Sequence, residues 1–118
     1  MGTFHYPIEI GTPDGSTYER IGALVDTGSS YTLVPASLLT RMGVSRDERW
    51  PFTLADDSIV EMDIGHTQVR IDGRSVTTIV VFGDNMAESL LGAYTLEGLR
   101  LGVDPVRRRL MPVPGLLM

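Results

Sequence analysis

The segment that most constrains this chain is the apolar run Ala-Leu-Val at residues 23–25, which ends abruptly in Asp-Thr-Gly-Ser at residues 26–29. An apolar run bounded by glycines is typical of a buried strand that breaks into a tight turn. Asp26 is therefore expected at a strand end, beside the hydrophobic core. A half-buried carboxylate costs free energy unless other groups pair with it or use it, so Asp26 is the first candidate for chemistry.

The residues that follow Asp26 suit a carboxylate site. Gly28 has no side chain and lets backbone groups approach closely. Thr27 and Ser29 carry short hydroxyls that can hold a carboxylate or a neighbouring backbone group. The alternative is an ordinary turn, because Asp, Thr, Gly and Ser are all common loop residues.

With these residues the chain resembles the retropepsin-like aspartic peptidases, whose catalytic loop has apolar residues followed by Asp, Thr or Ser, Gly, and Ala or Ser. Ser-Leu-Leu-Gly at residues 89–92 is similar to the family's apolar-apolar-glycine segment, which packs beside the catalytic loop. The order and the spacing of the two segments fit. The resemblance covers roughly the whole chain. It is greatest for small single-lobed bacterial and archaeal members, which often end in a hairpin like residues 101–110.

The pattern of short apolar runs predicts a chain built mostly of strands. Many short strands with few helices indicate a small β-barrel or a sandwich. The resemblance implies the first of these: a mostly β, small closed β-barrel of the retropepsin type with one or two short helices, forming a homodimer. At 118 residues, the whole chain, 1–118, is expected to be a single domain.

Strands and helices can be placed along the chain from periodicity and turn residues. Residues 44–49 are expected to be a loop, and residues 94–99 a second short helix or turn. The first helix is expected at residues 35–43. Asp72-Gly73 is a strong signal for a type I′ hairpin turn. Strands are expected at residues 4–10, 18–25, 31–34, 50–54, 59–64, 68–71, 75–82, 101–103 and 109–111.

The resemblance implies a catalytic site made of Asp26, Thr27 and Gly28 from two copies of the chain. Amide hydrolysis needs one group to take a proton from water and another to protonate the amide nitrogen. One Asp-Thr-Gly supplies only one carboxylate, and a two-fold axis in a homodimer would bring a second beside it. In the family, the hydroxyl at the Thr27 position reaches the partner's loop, and the Gly28 N–H contacts the carboxylate pair.

The hairpin around residues 55–58 corresponds in the family to the flap that closes over substrate. Many relatives carry glycine at its tip, where this chain has Asp56 and Asp57, and an exposed acidic turn without function is the alternative. Substrate would lie extended between the flap and the Asp26 turn, in a pocket that favours apolar side chains. The residues expected to contact it are Ser29, Ala55, Asp56, Asp57, Ser58, Ile59, Met86 and Leu90.

Composition and charge exclude several other classes of function. The formal net charge of −5 argues against nucleic acid as a partner. No apolar run approaches the length of a membrane span, and no signal peptide is visible, so a cytoplasmic protein without a membrane partner is expected. With no cysteine and no metal-binding motif, neither a metal nor a cofactor is expected. The acidic residues 56, 57, 61 and 63 lack the EF-hand pattern for Ca²⁺.

Two other functions remain open at this point. The same fold could be a peptide-binding or dimerisation module with little or no hydrolysis. The acidic flap tip motivates this alternative, as do Pro112 and Pro114, which could weaken pairing of terminal strands between two copies. The chain could also be a general β-domain in which Asp26 is only a turn residue. The predicted substrate of the first hypothesis is a protein or peptide.

Overall fold

The computed structural model describes residues 3–115 and 117. Within them the chain forms nine strands and two short helices, so the predicted mostly β chain with one or two short helices is confirmed. In chain order the elements are β1 (Phe4–Gly11), β2 (Tyr18–Val25), β3 (Thr32–Pro35), α1 (Ala36–Arg41), β4 (Glu48–Thr53), β5 (Ile59–Ile71), β6 (Arg74–Gly83), β7 (Leu90–Leu91), α2 (Ala93–Leu99), β8 (Leu101–Asp104) and β9 (Arg109–Pro112).

The antiparallel hairpin of β1 and β2 carries the chain to Asp26. Phe4 pairs with Val25 at the open end of this hairpin, and Gly11 pairs with Tyr18 next to its turn. Buried residues alternate along most of β1 and at the end of β2, as expected for strands with one face on a core. Because Val25 is itself buried, Asp26 begins at the edge of the core.

One seven-stranded sheet, in the order β1-β2-β7-β3-β6-β5-β4, contains most of the strands. The two-residue β7 lies between β2 and β3, parallel to the first and antiparallel to the second. β3 also runs parallel to β6. Parallel neighbours need a crossover connection and cannot arise from a hairpin. Long-range packing therefore brings Leu90–Leu91 beside the strand that precedes Asp26.

The two strands predicted at residues 59–64 and 68–71 are one continuous strand, β5, so the predicted break between them is wrong. β5 pairs with β4 through its first half and with β6 through its second half. Gly65, which interrupts the apolar pattern, lies inside the strand and is buried. A Cβ at this position would collide with the carbonyl oxygen of Ser45. A close approach of two backbones, rather than a turn, accounts for the glycine.

The predicted loop at residues 44–49 is shorter than expected. β4 begins at Glu48, because Glu48 and Arg49 pair with Ile64 and Asp63 of β5. The Asp-Gly hairpin is confirmed between β5 and β6, where Asp72 and Gly73 both have positive φ angles of 51° and 83°, the conformation that a type I′ turn requires.

The core is an apolar cluster to which both helices and most strands contribute. Burial of each large side chain contributes about 1.5–3 kcal/mol. The deepest members include Ile8, Ile10, Leu39, Ile71, Leu91 and Leu99.

β1 also pairs with β5 through Glu9 and Ile10, which brings the first strand of the sheet against its second-last strand. The closed barrel and the homodimer stay predictions. Neither helix in the described part of the chain is long and apolar enough to span a bilayer.

Candidate active site

Asp26 lies in a tight turn directly after β2. The N–H of Gly28 donates a hydrogen bond to Asp26 Oδ1 at 3.0 Å, and the N–H of Ser29 donates to the Asp26 carbonyl oxygen at 3.1 Å. Asp26 is half-buried, whereas Thr27 and Gly28 are exposed. Within residues 3–115 and 117, the Gly28 N–H is the only hydrogen-bond donor to the Asp26 carboxylate. Oδ2 is left without a hydrogen-bond donor from this part of the chain.

The segment at residues 89–92 is hydrogen-bonded to the backbone of the strand that leads into this turn. Leu24 N–H donates to the Ser89 carbonyl oxygen at 2.8 Å, and Asp26 N–H donates to the Leu91 carbonyl oxygen at 3.1 Å. A Cβ at Gly92 would lie 2.5 Å from the carbonyl carbon and 2.9 Å from the nitrogen of Tyr31. Glycine is needed here because the two backbones are almost in contact.

The start of α2 is joined to the residues that follow the turn. Ala93 N–H donates to the carbonyl oxygen of Ser29 at 2.8 Å, and Tyr94 N–H donates to that of Ser30 at 3.0 Å. The first N–H groups of a helix have no partner inside the helix, so the turn satisfies them. The Ser29 hydroxyl donates to the Tyr31 carbonyl oxygen at 3.0 Å and thus bonds to backbone in this structure.

A groove of about 400 Å³ lies between the Asp26 turn and the hairpin of β4 and β5. The turn contributes Gly28 and Ser29 to its lining, and none of its lining residues is charged. Trp50 and Leu54 on the hairpin are 56% and 42% exposed. Apolar surface left open to water beside a polar turn is typical of a binding site. The larger apolar residues of the lining are Tyr31, Leu33, Trp50, Phe52, Leu54, Met62 and Leu90.

Aromatic contacts fix the walls of this groove. The rings of Tyr31 and Phe52 meet edge to face, with centroids 5.9 Å apart, and the rings of Tyr31 and Tyr94 are 6.1 Å apart. Both separations fall in the favourable range for aromatic pairs. Tyr31 thereby connects the hairpin wall at Phe52 with the first turn of α2.

The tip of the β4–β5 hairpin is a polar turn. Asp56 Oδ1 accepts hydrogen bonds from the hydroxyl of Ser58 at 2.6 Å and from its N–H at 3.0 Å. The Ser58 hydroxyl, followed by its N–H, lowers the pKa of Asp56. A lowered pKa in the folded chain stabilises the turn above the usual carboxyl pKa, and this stabilisation is lost as pH falls through the lowered value.

A second groove, of about 740 Å³, opens on the other side of Asp26. The Asp26 turn lies along one side, and α2 and β8 along the other. Its apolar lining includes Leu96, Leu101 and Val103, and its other carboxylate belongs to Glu97. The carboxylate of Asp26 is therefore reached from a surface that is mainly apolar.

The structure brings together some of the residues predicted to form the site and separates others. Asp26, Thr27 and Gly28 form one turn, while Ser29 and Leu90 line the smaller groove with Gly28. The residues predicted at the flap tip, Ala55, Asp56, Asp57, Ser58 and Ile59, are exposed and lie outside both grooves. Met86, in the loop between β6 and β7, is 93% exposed and also lies outside them.

Sequence reasoning missed the hairpin residues that line the smaller groove. Trp50, Phe52 and Leu54 alternate with polar residues or proline, and this period-two pattern was the available signal for an apolar strand face. It could not reveal what that face meets. The contact between Phe52 and Tyr31 depends on how two separate strands pack.

Both histidines and several acidic side chains elsewhere in the described chain form pairs. Among the residues that the structure describes, no three His, Asp or Glu side chains are grouped in a way that could hold a metal ion. His5 is bonded to Glu88, and His66 Nδ1 lies 2.8 Å from Asp47 Oδ2. Asp63, one of the acidic residues considered for Ca²⁺, accepts hydrogen bonds from two arginines, Arg46 and Arg49.

The chain is similar to known proteins in sequence and in fold. A sequence model of the family described as "gag-polyprotein putative aspartyl protease" matches residues 17–98. No curated protein sequence matches the chain significantly. Among solved structures, the chain is similar to the simian foamy virus (mac) protease, with a TM-score of 0.56 and 18% identity over 79% of this chain and 91% of that one. It also matches a retropepsin-like aspartic protease from Rickettsia conorii, with a TM-score of 0.48 and 19% identity over 88% of this chain and 94% of that one.

Proposed function

The chain belongs to the retropepsin-like aspartic proteases, and on that premise we propose that it is a homodimeric aspartic endopeptidase. The observation that carries the proposal is the Asp26 turn, in which one carboxylate oxygen is held by Gly28 N–H at 3.0 Å while the turn itself is exposed. The proposal takes the whole chain as one domain with a closed barrel. It involves no cofactor, and the cytoplasmic location stays a prediction.

In the proposed reaction, the Asp26 carboxylates of two copies share one proton, because two carboxylates in contact cannot both be ionised. This sharing is the established behaviour of aspartic proteases. The ionised member takes a proton from a water molecule, whose oxygen attacks the scissile carbonyl carbon. The protonated member gives its proton to the substrate, and protonation of the amide nitrogen then allows the C–N bond to break.

Thr27 and Gly28 have supporting roles in this proposal. Gly28 N–H stabilises the ionised carboxylate, since a hydrogen bond to the charged form favours it. The exposed Thr27 hydroxyl would reach the turn of the partner copy. The mainly apolar lining of the groove of about 740 Å³ beside these residues supports a contact between copies there, because burying such surface is favourable.

The substrate in this proposal is an extended peptide held between the Asp26 turn and the β4–β5 hairpin. The uncharged groove of about 400 Å³ would receive one side chain of the peptide next to the scissile bond. Tyr31, Phe52 and Leu90 would contact that side chain. The preference is therefore for a large apolar residue.

Truncation of the groove wall tests this preference. In Phe52→Ala we expect kcat/KM for peptides with Leu or Phe at the selected position to fall about 10-fold, since the loss of apolar contact in a pocket is worth about 1–3 kcal/mol. Cleavage of peptides with Ala at that position should change much less. Ile21→Ala, a truncation of a half-buried residue in the middle of β2 that lines neither of the two grooves, serves as the control. Equal losses for both peptide classes would contradict the assignment.

Mixing of chains tests whether the site needs two copies. Excess Asp26→Asn chain added to a fixed amount of wild-type chain should suppress cleavage, because mixed dimers contain only one ionisable Asp26. Activity should also fall faster than linearly on dilution, since the site exists only in the dimer. Sedimentation across the same concentrations supplies the dimer population. A wild-type chain that cleaves as a monomer, or is unaffected by the variant, would contradict the homodimeric mechanism.

Binding and cleavage assays on the wild-type chain distinguish an enzyme from a binding module. If the chain dimerises and binds peptides but the wild type cleaves none of them from pH 3 to pH 7, the endopeptidase proposal is wrong. The function would then be peptide binding on this fold.

A further inference from the structure

Three buried threonine hydroxyls form a continuous chain of hydrogen bonds beneath the Asp26 turn. Thr32 Oγ1 lies 2.6 Å from Thr95 Oγ1, and Thr95 Oγ1 lies 3.1 Å from Thr78 Oγ1. Thr32 and Thr95 are 0% exposed, and Thr78 is 5% exposed. The three residues come from β3, α2 and β6, so the hydroxyl chain joins three elements that are distant in sequence.

The hydroxyl chain ends on the backbone of the segment that supports Asp26. The N–H of Gly92 donates to Thr32 Oγ1 at 3.1 Å. Since Thr32 Oγ1 accepts there, its own proton is free to be donated to Thr95, and the proton of Thr95 to Thr78. With the hydrogen bonds in this direction, the hydroxyl protons of the two fully buried residues, Thr32 and Thr95, both have an acceptor. A buried donor without an acceptor would cost free energy.

One further hydrogen bond connects the peptide unit that contains the Gly92 N–H to Asp26. The residue before Gly92 is Leu91, whose carbonyl oxygen accepts the Asp26 N–H at 3.1 Å. The peptide unit that links Leu91 to Gly92 is therefore held at both ends, by the Thr32 hydroxyl on its N–H and by the Asp26 N–H on its C=O. A movement of this peptide unit would move the backbone of Asp26.

We propose that the hydroxyl chain Thr32–Thr95–Thr78 is a positioning element, which fixes the Leu91–Gly92 peptide and through it the Asp26 backbone. The inference rests on the proposed function for its effect on the reaction, but the positioning itself does not. Thr95 is the central member, because its hydroxyl alone contacts both of the others. These threonines act through the backbone and do not touch substrate.

The test replaces the central hydroxyl while keeping the shape of the side chain. Thr95→Val removes the hydroxyl and leaves Thr32 without its acceptor, whereas Thr95→Ser retains the hydroxyl. Thr67→Val is the matched control, because Thr67 is 1% exposed and its hydroxyl donates to the Gly11 carbonyl oxygen at 2.5 Å, away from the Asp26 turn. The readouts are thermal stability, kcat and KM for one cleaved peptide, and NMR hydrogen exchange of individual backbone N–H groups.

In Thr95→Val we expect kcat to fall about 10-fold, with KM little changed. A misplacement of 1 Å can lower the rate about 100-fold, and the displacement expected here is smaller. The N–H groups of Gly92 and Asp26 should exchange about 10-fold faster than in the wild type. This exchange should occur through a local opening and not through global unfolding. Thr95→Ser should restore both values. Thr67→Val should lower thermal stability without changing kcat or these two exchange rates.

The inference is overturned if Thr95→Val loses stability as Thr67→Val does while kcat and the exchange of Gly92 and Asp26 stay at wild-type values. The hydroxyl chain would then only stabilise the fold. If the wild-type chain cleaves no peptide, the proposed function fails, and the exchange rates of Gly92 and Asp26 alone decide whether the hydroxyl chain positions the turn.

Discussion

Replacement of Asp26 with asparagine is expected to lower the rate of peptide cleavage about 1000-fold or more while the fold is kept. Asparagine has the size of aspartate, and its side-chain oxygen can still accept the hydrogen bond that Gly28 N–H donates to Asp26 Oδ1. It cannot take up or release the proton that the reaction needs. Digestion of a peptide library from pH 3 to pH 7, analysed by mass spectrometry, measures the loss and identifies the cleaved sequences. The wild type should be fastest at acidic pH, because the proposed reaction needs a proton on one of the two carboxylates.

Asp72→Asn is a suitable control for this experiment. Asp72 is exposed in the β5–β6 turn and accepts a hydrogen bond from the Tyr6 hydroxyl at 2.7 Å, which asparagine can also accept. Its φ angle of 51° is one that asparagine tolerates. The control should cleave as the wild type does. If Asp26→Asn retained cleavage, the carboxylate of Asp26 would not be the catalytic group.

The Gly92→Ala variant is expected to lose about 3 kcal/mol of unfolding free energy, the upper end of what overpacking usually costs. The added Cβ would lie 2.5 Å from the carbonyl carbon and 2.9 Å from the nitrogen of Tyr31. These are backbone atoms, so they cannot move aside as a side chain would. The φ and ψ of Gly92, −95° and 170°, are ordinary for alanine, and the cost is therefore steric. Cleavage should fall as well, since the displaced backbone supports Asp26.

Denaturant unfolding at a fixed protein concentration measures the difference, because dissociation of the proposed dimer would make the apparent stability depend on concentration. Gly22→Ala is the matched control, since a Cβ there meets nothing within 4 Å. In a strand such as β2, alanine in place of glycine is expected to be neutral or to stabilise by about 0.5 kcal/mol. Similar stability for Gly92→Ala and wild type would show that Tyr31 can be displaced at little cost.

Local sequence determined the elements that lead to the site. The apolar run before Asp26 and the small residues after it predicted a strand that ends in a tight turn, and Asp72-Gly73 predicted the hairpin between β5 and β6. These features depend on backbone conformations and on side-chain alternation between near neighbours. The resemblance carried by residues 23–29 and 89–92 supplied the family and the retropepsin-like fold.

Tertiary structure alone decided what surrounds Asp26. Contact of Tyr31 with Phe52 and the hydroxyl chain through Thr95 both join residues that are far apart in sequence. No local propensity encodes such contacts, because they depend on how all the strands pack against one core. For the same reason Gly65, which resembled a break in the sequence pattern, proved to be the place where one continuous strand passes a neighbouring backbone.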